Sequence, residues 1–147
     1  MKAPTIRSAR AGDAIAVAAL VTDLGYPTSA ADMTERLAMI ARDARYATFV
    51  ADRAGTVVGV AGVRLGPLYE RNGLYGQLMV IGVRSEVQGQ GIGHALIAEA
   101  ERWAREGGAV EMVVHSGEHR GDAHAFYERH GYRNTGRRFI KFFSPTA

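Results

Sequence analysis

Six residues, Gln88-Gly89-Gln90-Gly91-Ile92-Gly93, carry the strongest chemical signal in the chain. They lie between an apolar run ending at Val83 and a helical pattern reaching about Glu106. A strand, then glycines, then a helix start is an anion-binding arrangement. The first N–H groups of a helix have no partner inside it, and the macrodipole adds positive potential there. Glycine lets a ligand approach that backbone with no Cβ in between. Helices ordinarily place Asp or Glu in the first turn, yet Gly91 to Ala98 contains no carboxylate. The spacing narrows the ligand. No Lys follows, which excludes a P-loop. Gly89-x-Gly91-x-Gly93 is not the dinucleotide spacing, and Glu111 sits too early in its strand to meet a ribose.

Other reactive side chains are fewer. The chain has no cysteine, which excludes disulfide frameworks, Cys-ligated metals and thiol nucleophiles. No Gly-x-Ser-x-Gly elbow occurs. His115-Ser116-Gly117-Glu118-His119 imitates a zinc-peptidase motif, but that chemistry needs one continuous helix, and this stretch begins at a strand end and contains Gly117. No metal is expected. The net charge, 18 − 15 = +3, suits an anionic ligand without demanding nucleic acid, and no basic run with interleaved aromatics supports one.

The elements that must position these residues follow from periodicity. The 147 residues, 47% apolar and 22% charged, fit one domain, 1–147, with a proper core. Thr5 to Ala9 reads as a strand. Gly12-Asp13 then offers a cap for a helix with Val17, Leu20, Val21 and Leu24 on one face, stopped by Gly25. Ser29 with Asp32 starts a second helix, with Met33, Leu37, Ile40 and Ala41 as its apolar stripe. Ala47–Asp52 and Thr56–Leu65 read as a hairpin joined by Arg53-Ala54-Gly55. A turn region from Gly66 to Gly73 leads to a strand from about Leu74 to Val83. After the glycine segment comes a helix, with Glu101–Arg105 and Arg102–Glu106 as surface pairs and Gly107-Gly108 as its end. Ala109 to His115 reads as a strand. Asp122 starts a last helix, stopped by Gly131, and Tyr132 to Phe143 supplies one or two closing strands. The order β-α-α-β-β-β-α-β-α-β-β is α+β, a mixed α/β arrangement and not a doubly wound parallel sheet.

Lys2, Arg7 and Arg10 before Ile15–Val21 imitate a signal peptide, but Asp13 and the helical pattern make that run an amphipathic helix. The apolar stretch Leu78–Val83 is far below the ~20 residues that span a bilayer. The expected compartment is the cytoplasm.

Val83-Arg84-Ser85-Glu86-Val87-Gln88-Gly89-Gln90-Gly91-Ile92-Gly93 resembles the acetyl-CoA signature of the GNAT (GCN5-related N-acetyltransferase) superfamily, whose core Gln/Arg-x-x-Gly-x-Gly/Ala is met by Gln88, Gly91 and Gly93. Ala123 to Tyr132 resembles the second hallmark, Ala-x-x-Phe-Tyr-x-x-x-Gly-Phe/Tyr. Leu24-Gly25-Tyr26-Pro27 and the hairpin with Val57-Val58-Gly59 are similar to small bacterial-type members. The likeness covers nearly the whole chain. It implies a GNAT fold with a mostly antiparallel sheet of six or seven strands and about four helices.

It also implies an N-acetyltransferase that moves acetyl from acetyl-CoA, the cosubstrate, to a primary amine by direct attack in a ternary complex. By the same resemblance, backbone of Ile81 and Val83 would meet the pantetheine arm and thioester carbonyl. The amides of Gln88, Gly89, Gln90, Gly91, Ile92, Gly93 and His94 would hold the diphosphate. Tyr127 would be the general acid. Many relatives carry Glu on the strand before the loop, whereas the matching position here is Gln77. Glu70, His115 and His119 are the substitute bases. Arg120 stands where many relatives have Asn, and Arg120–Tyr132 resembles the aminoalkylphosphonate acetyltransferases of the superfamily. Two other readings remain: a CoA-binding module without turnover, and an enzyme acting on a protein or aminoacyl-tRNA. The expected partner is a small-molecule amine, with no membrane, nucleic acid disfavoured and a homodimer possible by family analogy.

Overall fold

A computed structural model describes residues 3–115 and 121–144. The elements run β1 (Thr5–Ser8), α1 (Ala14–Asp23), α2 (Ala30–Ala41), β2 (Tyr46–Arg53), β3 (Thr56–Pro67), β4 (Leu74–Val83), α3 (Ile92–Glu106), β5 (Ala109–Val114) and α4 (Gly121–Arg129). Single 3-10 turns precede α1 at Ala11–Asp13 and follow β4 at Ser85–Val87. The order is the α+β order expected through α4. The chain divides into two compact units, Met1–Val113 and Val114–Ala147.

In the first unit the strands form one sheet in the order β1-β2-β3-β4-β5. β1–β2, β2–β3 and β3–β4 are antiparallel. The β2–β3 connection is tight because Ala54 and Gly55 both take positive φ, the geometry a two-residue hairpin turn requires. β3 runs on through Pro67, two residues past the expected end at Leu65, and so includes the Gly66-Pro67 pair expected as a turn. One face of the sheet packs under α1, where Val17, Leu20, Val50 and Val60 share a core. The other face takes α3. A Cβ on Gly59 would come within 2.9 Å of Leu96 Cδ1 and 3.3 Å of Ile92, so glycine sets how closely α3 approaches β3.

Local capping explains the helix starts, with one difference from expectation. Ser29 Oγ accepts from Asp32 N at 3.0 Å, as the Ser29–Asp32 spacing predicts. Asp13 does not cap α1 with its side chain. Its carboxylate accepts two bonds from Arg7 at 2.8 and 2.9 Å and one from the Arg10 N–H at 2.7 Å. Arg7 also reaches Asp52 at 3.0 Å, tying β1 to β2 and to the start of α1. Arg7 holds the Asp13 carboxylate away from the first turn of α1 through a two-bond, charge-assisted pair.

The second unit contains α4, ended at Gly131 with φ +88. Among the described residues the closing strands expected between Tyr132 and Phe143 do not form, and five strands stand where six or seven were expected. Phe139 and Phe143 in that segment are 90% and 96% exposed. Strand propensity is a preference for a half-buried pleated surface, and without a ladder partner it does not make a strand.

Candidate functional site

The glycine segment leaves the backbone open at the start of α3. β4 ends at Val83, one turn of 3-10 helix follows, and Gly89 and Gly91 take φ +83 and +82. That left-handed geometry folds the chain back into the first turn of α3. Gly91 is the N-cap of α3, so no side chain covers the helix start, and the first turn carries no acid. A Cβ at Gly89 or Gly91 would meet nothing within 4 Å, which leaves the backbone open to an approaching ligand. The first bond inside the helix is Ala95 N to Gly91 O, so the amides of Ile92, Gly93 and His94 precede the ladder.

Side chains brace this loop. Gln88 Nε2 donates to the Val83 carbonyl at 3.1 Å, closing the turn between strand and helix. Arg53, at the end of β2, donates to Gln90 Oε1 at 2.9 Å and adds a cation beside the loop. Sequence reasoning missed Arg53, because only the hairpin fold brings it to Gln90. Ile92 is fully buried and anchors α3, while Gln88 to Gly91 and His94 are exposed.

Ile81 and Val83 lie at the end of β4, paired with Ala61 and Gly59 of β3. β5 runs beside the first half of β4. A Cβ added at Gly73 would lie against Val110, and one at Gly76 against Met112. A register shift falls between Gly62 and Val63, leaving Met79 as the extra residue of β4. Bulges of this kind recur beside active sites, where they re-aim side chains.

The remaining predicted residues lie on other elements. Tyr127 is half-buried on α4, its ring edge-on to Phe126 and Tyr132 at 5.5 and 6.1 Å between centroids. Glu70 and His115 are exposed. Gln77 lies on β4 opposite Arg64. His119 and Arg120 lie outside the described residues. Among the described residues no group of His, Asp and Glu could hold a metal ion, and no helix is long and apolar enough to cross a membrane. Sequence reasoning also missed a cluster on β2–β4. Arg64 lies between Tyr46 and Tyr75, and its Nη2 donates to Tyr75 Oη at 2.5 Å. The available signal was an arginine inside a β-branched run with a glycine two residues to either side.

Comparison with known proteins gives a consistent picture. Residues 16–132 match the family described as Acetyltransferase (GNAT) family. An aminoglycoside N(6')-acetyltransferase type 1 of Stenotrophomonas maltophilia is 37% identical over 139 residues, 92% of this chain and 90% of that one. An aminoalkylphosphonate N-acetyltransferase of Salmonella typhimurium is 35% identical over 89 residues, 60% of this chain and 58% of that one. Among solved structures, a transcriptional regulator from Bacillus halodurans superposes with a TM-score of 0.88 at 24% identity, over 95% of this chain and 99% of that one.

Proposed function

The chain belongs to the GNAT acetyltransferase family, and from that premise we propose that it transfers acetyl from acetyl-CoA to a small primary amine by direct attack in a ternary complex. The observation that carries this reading is the uncapped, acid-free start of α3, with Gly89 and Gly91 holding the backbone open. When bound, acetyl-CoA supplies an activated acetyl thioester. The amides from Gln88 to His94 hold its diphosphate. The backbone of Ile81 and Val83 orients the pantetheine arm, and one of their N–H groups faces the carbonyl oxygen where negative charge develops.

Tyr127 gives its phenolic proton to the departing sulfur. A phenol of pKa ~10 can protonate a thiolate whose acid has a pKa of ~8.5 as that charge forms. Gln77 cannot accept a proton, so the amine loses its own to water, or to Glu70 or His115 through water. Without cysteine, a covalent acetyl-enzyme is not expected. The small amine is favoured as acceptor by the two relatives, which act on an aminoglycoside and an aminoalkylphosphonate. The test is CoA release from acetyl-CoA with a panel of amines, beside calorimetry with the coenzyme. Binding without any turnover would instead favour the CoA-binding module, for which the amide at Gln77 is the supporting feature.

A further inference from the structure

Arg64 stands three residues before the end of β3, with Gly62 and Gly66 on either side of it on the same strand face. β3 therefore offers a single cation there with no neighbouring Cβ. Tyr75 fills the space over Gly66, since a Cβ at that glycine would fall 2.7 Å from the tyrosine ring. Its hydroxyl accepts from Arg64. Tyr46 faces Arg64 from β2, and the guanidinium carbon lies 5.9 and 5.5 Å from the Tyr46 and Tyr75 ring centroids. Gln77 faces it from β4.

This cation is held in place and incompletely satisfied. Arg64 is half-buried, and its Nε is shielded from solvent with no hydrogen-bond partner. Among the described residues no carboxylate pairs with it. Asp43, the acid that feels its field, is engaged by Arg45 at 3.1 Å. A shielded N–H without a partner is costly, and two aromatic faces offset only part of that cost. An anion completes the arrangement, and the planar fork of an arginine matches the oxygens of a carboxylate or phosphonate.

Its place in the sheet says which anion. The same face carries Val50 and Val60 beneath α1. Arg64 lies three residues along β3 from Ala61, the partner of Ile81, or about 10 Å at strand rise. We infer that Arg64 anchors an acid group on the acceptor, so that the acceptor class is an amine bearing a carboxylate or phosphonate several bonds from its nitrogen. This rests on the assignment of Ile81 and Val83 to the acetyl end of the coenzyme.

The test compares the wild type with Arg64→Gln and Arg64→Lys. Probes are 4-aminobutyrate, 3-aminopropylphosphonate, butylamine, 1,4-diaminobutane and a polycationic aminoglycoside. Acceptor binding is read by calorimetry with and without CoA, and turnover by CoA release. The wild type should prefer at least one acid-bearing amine to butylamine. Comparing the two acids tells carboxylate from phosphonate. Arg64→Gln should lose about 10- to 150-fold in affinity and kcat/KM for that probe, the cost of one charge-assisted bond, with butylamine and acetyl-CoA affinity changed less than about threefold. Arg64→Lys should retain part of the preference. A wild type that favours butylamine, the diamine or the aminoglycoside overturns the inference. So does an equal loss for every amine. Absence of coenzyme binding in the wild type refutes the coenzyme assignment instead, and the heats measured without CoA then still decide whether Arg64 binds the acid.

Discussion

Replacing Gly91 with alanine separates the conformational role of this residue from its role toward a ligand. Gly91 has φ +82, and an added Cβ would meet no atom within 4 Å. The substitution therefore causes no clash, only the left-handed penalty of about 1–2 kcal/mol for a residue with a Cβ. For a chain of this size that lowers Tm by about 2–8 °C. Gly108 is the matched control. It has φ +102 at the other end of α3, its nearest contact from an added Cβ is an ordinary 3.7 Å to Leu74, and 15 residues of helix lie between them, about 22 Å. Both variants should lose similar stability. Only Gly91→Ala places a methyl group over amides that would hold the diphosphate. Loss of one charge-assisted bond there raises Kd for acetyl-CoA by about 10- to 150-fold. Calorimetry and differential scanning read the two effects separately. Equal coenzyme affinities in the two variants would refute the assignment of the diphosphate to the start of α3.

Three further outcomes follow from the geometry. Asp13→Asn breaks a largely buried ion pair with Arg7 and should cost about 3 kcal/mol in urea unfolding. The Arg7 hydrogen bonds hold the Asp13 and Asp52 carboxyls below their ordinary values, so their stabilisation is complete above the unfolded pKa of ~3.9 and is lost as pH falls through the depressed folded values; the asparagine variant should show a flatter acid limb. Gly59→Ala forces a methyl to within 2.9 Å of Leu96 and 3.2 Å of the Gly82 carbonyl, and should destabilise by about 1–3 kcal/mol, measured by thermal unfolding. Tyr127→Phe should lower kcat about 100-fold or more with acetyl-CoA affinity unchanged; undiminished turnover would remove the phenol from the reaction.

Local chemistry was legible and long-range pairing was not. The limits of β4 and α3 follow from glycine placement and period, because both boundaries are decided by the residues at the boundary itself. Ser29 capped α2 as its spacing predicts, since cap and acceptor lie three residues apart. Asp13 departed from its expected role because it and Asp52 both converge on Arg7, an arrangement made only once β1 pairs with β2. The Arg64 cluster was invisible for the same reason. Tyr46 and Tyr75 are distant in sequence and meet Arg64 only through two strand registers. Phe139 to Phe143 had the composition of a strand, and composition could not say whether a partner strand stands beside it.

The bulge in β4 shows most sharply why the side-chain face could not be read from alternation. With strict alternation Tyr75, Gln77, Met79, Ile81 and Val83 would share one face. That would drive two β-branched side chains, Ile81 and Val83, into the space beneath α1. The extra residue at Met79 reverses the parity. Tyr75 and Gln77 stay on the face of Arg64, while beyond the bulge Val80 and Gly82 take it over. Gly82 there leaves room for α1, since even a Cβ would sit 3.4 Å from Leu24. Ile81 and Val83 turn toward the face that packs on α3, the helix whose N-terminus holds the glycine cradle. One inserted residue thus lets a single strand turn Tyr75 and Gln77 to one face at one end and Ile81 and Val83 to the opposite face at the other.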